Sequence, residues 1–114
     1  MTPQEIMDGL QAKNRLLTQK NEEYLKLSEK KAQCERDYSK AYANAIAKRK
    51  IEGDPTTIVK ELAKGDVSDQ AFDLAIADGV MKACLESIKD IREAIGSYRS
   101  LLTWLRAELT GNSD

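Results

Sequence analysis

The chain contains no histidine, only two cysteines and only two prolines among its 114 residues. Without histidine it lacks the commonest general base and the commonest metal ligand. Cys34 and Cys84 lie far apart and form no CxxC pair, so they do not have the spacing of a zinc site. They are expected to be small reduced core residues rather than a disulfide or redox pair. Glycine is scarce at six residues, and the aromatics number one Trp, one Phe and four Tyr. Little Gly and Pro beside abundant Ala, Leu, Glu, Lys and Arg points to long helices and away from sheet. No apolar run approaches the ~20 residues of a membrane span. The opening MTPQEIMDGL has no basic stretch leading into an apolar one, as a signal peptide would. The expectation is a soluble cytoplasmic protein with no membrane contact and no cofactor.

The net charge of −1 provides no global field to draw in nucleic acid. The charge is nevertheless divided. Residues 1–52 carry 11 basic against 8 acidic side chains, and residues 53–114 carry 7 against 11. Halves charged in this way attract each other when folded side by side.

Start and stop signals divide the chain into three helices. Thr2 caps a start at Pro3, with Glu5 placed to complete a capping box. No proline follows until Pro55. Gly53-Asp54-Pro55 stops this helix, Asp54 caps the next, and Gly65 ends it. Ser68 or Asp69 caps the last, which runs to Thr110. The expected single domain, residues 1–114, is therefore a helix over about 3–52, a short helix over about 55–64 and a helix over about 69–110.

The last helix has an unbroken heptad seam: Leu74, Ala77, Met81, Cys84, Ile88, Ile91, Ile95, Tyr98, Leu102, Leu105 and Leu109. The first has a matching one at Ile6, Leu10, Lys13, Leu17, Lys20, Tyr24, Leu27, Lys31, Cys34, Tyr38, Ala41, Ala45 and Lys48. Lysines at four of those slots lay their methylene stems on the seam and lift their amines to water. Antiparallel pairing aligns Leu10 with Leu109, Leu17 with Leu102, Cys34 with Cys84, Tyr38 with Met81 and Ala41 with Ala77. The expected fold is all-α: a long, coiled-coil-like antiparallel hairpin, with the short helix over its connecting tip.

Apolar residues remain beside the seams, including Leu16, Leu25, Phe72, Ile76, Val80, Leu101 and Trp104. A lone hairpin leaves these wet. The expectation is a homo-oligomer, a four-helix bundle or larger, with Leu16, Leu101 and Trp104 as candidate interface residues. Lys40, Lys48, Arg49 and Lys50 form a candidate anion or ligand patch. Opposition of the helix macrodipole already accounts for basic residues at a helix C-terminus. The carboxylate groups at Glu22-Glu23 and Asp66/Asp69/Asp73 read as solvated faces, and no nucleophile sits beside a base. The chain is not expected to be an enzyme.

The segment DPTTIVKELAKGD, followed by a long helix ending YRSLLTWLRAEL, resembles small helical hypothetical proteins encoded in bacteriophage and prophage genomes. The likeness covers nearly the whole chain, and its motifs are structural. It implies a phage origin and expression in the bacterial cytoplasm, and it brings no activity with it. The expected function is a non-enzymatic interaction protein that binds a host or phage protein, inhibiting or redirecting a host factor such as a defence system. The alternative is a nucleic-acid or nucleotide-signal binder that uses the basic residues of the first helix, and a scaffolding role in the virion is a third reading.

Overall fold

A computed structural model of the chain describes residues 1–111. Three helices follow one another: α1 over Pro3–Ile51, α2 over Val59–Asp66 and α3 over Ser68–Gly111. The long helix α1 packs against α3 as a hairpin, with α2 between them in the chain. No strand occurs among the described residues. The chain divides into two compact units. A turn-proximal unit comprises Leu25–Lys82, and a terminal unit comprises Met1–Tyr24 with α3 from Ala83 onward.

The start of α1 forms as its sequence dictates. The Glu5 amide donates to Thr2 Oγ1 at 3.1 Å, which satisfies one of the orphan donors of the first turn. The end of α1 is a Schellman motif. The Gly53 amide donates to the Lys50 carbonyl and the Asp54 amide to the Arg49 carbonyl, both at 3.1 Å. This closure needs a left-handed residue, and Gly53 supplies it at φ 85°. Pro55 then prevents the helix from resuming.

The short helix differs from its expected form. Residues 55–58 make a turn, α2 begins only at Val59, and its N-cap, Ile58, forms no side-chain cap. Gly65 lies inside α2 rather than ending it. Between α2 and α3 only Val67 breaks the helical pattern, and the ladder continues across it: the Val67 amide donates to the Ala63 carbonyl and the Ala71 amide to the Val67 carbonyl. At the connection, α2 forms the first part of the returning arm. Ala63 and Val67 are buried against Ala45, with Tyr38, Ala41, Tyr42 and Ile46 around them. Alanine on both sides lets the helices approach closely there.

This changes the register. In the turn-proximal unit Ser28 Oγ donates to Met81 Sδ at 3.5 Å, and Lys31 pairs with Asp78 at 2.9 Å. Seam alignment put Tyr38 opposite Met81 and Ala41 opposite Ala77. The actual pairing is displaced by about ten residues, close to three helical turns. In the terminal unit the Cys84 thiol donates to the Lys20 carbonyl at 3.6 Å, and Gly9 abuts Tyr98, so the alignment of Leu10 with Leu109 and Leu17 with Leu102 is also displaced. Because the reversal is centred on Gly53 instead of on α2, the returning arm reaches α1 about three turns earlier.

The inward faces themselves are those of the seams. Ala77, Cys84, Ile88, Ile91 and Ile95 are buried on α3, and Ile6 and Ala45 on α1. Lys13, Lys20 and Lys31 occupy half-buried seam slots, as their stems allow. Two slots fail. Lys48 is exposed, and Arg49 turns inward in its place. Leu109 is exposed because α3 runs past the start of α1: with Gly9 level with Tyr98, Pro3 is level with residue 104, and about 10 Å of α3 extends beyond it.

Gly9 has a packing role. A Cβ there would stand 2.7 Å from Cζ of Tyr98, inside contact distance. The same substitution at Gly79 meets nothing within 4 Å. Gly79→Ala is therefore expected to stabilise the protein by about 0.5–1 kcal/mol through helix propensity. Gly9→Ala is expected to destabilise it, since displacing the Tyr98 ring costs about 1–3 kcal/mol, more than propensity returns. Thermal melts that rank the two variants the other way would contradict this register.

Candidate functional site

The basic end of α1 is largely committed to holding the turn. Arg49 grips Asp66 with both sides of its guanidinium, Nε to Oδ2 at 2.8 Å and Nη2 to Oδ1 at 2.6 Å, and reaches Asp54 with Nη1 at 3.4 Å. Such a bidentate fork is the strong form of the ion pair. The hydrogen bonds from Arg49 hold Asp66 below the ordinary carboxylate range, while Asp66 raises the Arg49 pKa further. Of the remaining basic candidates, Lys48 lies in a hollow shared with Glu52 and Asp66, and Lys40 in one shared with Asp37 and Asp73. Lys50 is exposed. Carboxylates interrupt the patch, and two of them already engage Arg49, its best anion ligand.

A second ion-pair hub went unread in the sequence. Asp78 Oδ2 meets Lys82 at 2.8 Å and its Oδ1 meets Lys31 at 2.9 Å. The hydrogen bonds from Lys82 and then Lys31 lower the Asp78 pKa, and the bond to Asp78 raises that of Lys31. Lys82 is visible in the sequence as an i+4 neighbour. Lys31 is not, because the pair depends on the register.

Two apolar surfaces remain. In the turn-proximal unit Phe72, Ile76 and Val80 form an exposed ridge at i, i+4 and i+8. The three line a groove of about 390 Å³, to which Leu27, Lys30 and Cys34 contribute from α1 and Asp73 and Ala77 from α3. In the terminal unit Leu101 and Trp104 are exposed, Trp104 at 60%, over a shallow hollow formed with Glu93, Gly96, Ser97 and Ser100. The structure does not bring Leu16 to them. It is half-buried, and it sits seven residues, about 10 Å, along α1 from the Gly9–Tyr98 contact, in the direction away from Trp104. The Phe72 ridge was legible as leftover apolar residues, and its i, i+4, i+8 spacing was the signal that they form one surface.

Both cysteines are free, Cys34 half-buried in its groove and Cys84 buried in the terminal unit. Among the described residues no three His, Cys, Asp or Glu side chains are placed to hold a metal ion, and no helix is long and apolar enough to cross a membrane. No protein-family model matches the chain, nor does any curated protein or solved structure.

The Arg49 clasp makes stability depend on pH. Asp66 has a folded pKa below its unfolded value of about 3.9, so its contribution is complete well above that value and is lost as the pH falls through it toward the folded pKa. Asp66→Asn is expected to melt below wild type at pH 6, and the gap should close in melts taken near pH 2. A gap independent of pH would mean that the charge on Asp66 contributes nothing.

Proposed function

We propose that the chain is a non-catalytic interaction protein of phage or prophage origin, one that self-associates and binds a host or phage protein. The reading rests on one observation: part of the apolar surface left outside the core is grouped, as Phe72, Ile76 and Val80 and as Leu101 and Trp104. Scattered exposed apolar residues need no explanation, whereas grouped ones mark contact surfaces. We assign the partner contact to Leu101 and Trp104. Tryptophan is among the residue types most enriched at interface hot spots, and Trp104 stands exposed over a shallow hollow. Nearby, α3 runs beyond α1 and exposes Leu109 as well. Inhibition or redirection of a host factor, such as a defence component, is the activity this shape serves. The nucleic-acid alternative loses ground because Asp66 and Asp54 occupy Arg49.

Affinity capture from bacterial lysate, comparing wild type with Trp104→Glu, tests the assignment. Trp104 is exposed, so the variant should melt within about 0.5 kcal/mol of wild type. Its affinity for the captured protein should fall by about 2 kcal/mol or more, as for an interface hot spot. Equal capture by both proteins would remove Trp104 from the site. Retention on heparin, abolished by Lys48→Glu, would favour the nucleic-acid reading instead.

A further inference from the structure

We propose that two copies of this chain pair through the Phe72–Ile76–Val80 face as an isologous dimer, with the ridge of each copy seated in the groove of the other and Lys30 of each opposite Asp73 of the other. The proposal builds on the self-association stated above and assigns it a face.

Shape is the first argument. A two-fold interface must be complementary to itself. Here the i±4 row of Phe72, Ile76 and Val80 itself lines a concave groove on one unit, so each copy carries both an exposed apolar row and the hollow that row borders. Ridges of this class are the ones that seat in the grooves of a neighbouring helix. Ala77 and Cys34 are small, so the groove beside the ridge can admit large side chains. Phe72 is 65% exposed, Ile76 52% and Val80 46%. An aromatic buries about 150–250 Å² when covered, so Phe72 alone exposes roughly 100–160 Å².

Charge is the second argument, and it selects a second copy over an unrelated protein. The groove's only charged residues are Lys30, from α1, and Asp73, from α3. Neither has an ion-pair partner among the described residues. A strongly acidic or basic partner meets one of them favourably and the other unfavourably. A two-fold copy offers one charge of each sign, so rotation can bring each to its opposite. Cys34 lies in the groove and reports on its occupancy.

Sedimentation equilibrium of wild type is expected to give a dimer in the micromolar range. Lys30→Glu and Asp73→Lys each place like charges across the interface twice, and each should weaken the dimer about tenfold. The double variant Lys30→Glu/Asp73→Lys should restore it. Both residues are at the surface, and circular dichroism checks that helicity is retained. Labelling of Cys34 by a maleimide should slow as protein concentration rises in wild type, and should need about tenfold higher concentration to slow equally in the single variants. A wild type that stays monomeric at high micromolar concentration overturns both self-association and this face. A dimer indifferent to both single variants but lost in Trp104→Glu leaves self-association standing and overturns this face.

Discussion

The chain reversal at Gly53 is the constraint on which the other pairings depend. The Schellman closure fixes where α1 ends, and the left-handed conformation it needs is inexpensive only for glycine. Arg49 then ties that end to Asp54 in the turn and to Asp66 at the close of α2. One side chain thus joins the outgoing helix, the turn and the returning arm. With the reversal fixed, α2 must lie along α1, which brings Ala63 and Val67 onto Ala45. The same reversal carries Asp78 to Lys31 and Met81 to Ser28.

Two helices offer each other only one stripe apiece, so a hairpin has little interior. The protein accommodates this in two ways. At the turn it uses alanines, which shorten the distance between helices and let a thin core pack closely. Elsewhere it uses lysines at seam positions, whose stems cover apolar surface while their amines stay wet. Neither device covers Phe72, Ile76 and Val80 or Leu101 and Trp104. These residues carry large apolar area on outer faces, and that pattern supports an interaction role.

The ion pairs show how charge serves the structure and bears on function. The basic excess of residues 1–52 reads as a ligand patch when the helix is taken alone. Once folded, Asp66 and Asp54 occupy Arg49, and Glu52, Asp37 and Asp73 lie in the hollows of Lys48 and Lys40. The opposite bias of residues 53–114 supplies both carboxylates that pair with Arg49. Attraction between the two halves thus reduces the case for an anion site.

The sequence by itself determined which residues turn inward. Heptad spacing marked Ile88, Ile91 and Ile95, Thr2 and Gly53 marked the limits of α1, and Lys13, Lys20 and Lys31 were correctly read as tolerable on a seam. These are local properties, fixed by helical geometry and by the conformations each residue permits. Tertiary structure alone decided the register. Spacings of 3 and 4 repeat, so sliding one helix past the other by about three turns again sets apolar against apolar. The choice fell to the turn, whose compactness depended on α2 running into α3 with only Val67 between them. In the turn-proximal unit that displacement is why Asp78 meets Lys31; in the terminal unit the contact of Gly9 with Tyr98 leaves Leu109, a good seam residue by spacing, without a helix to cover it.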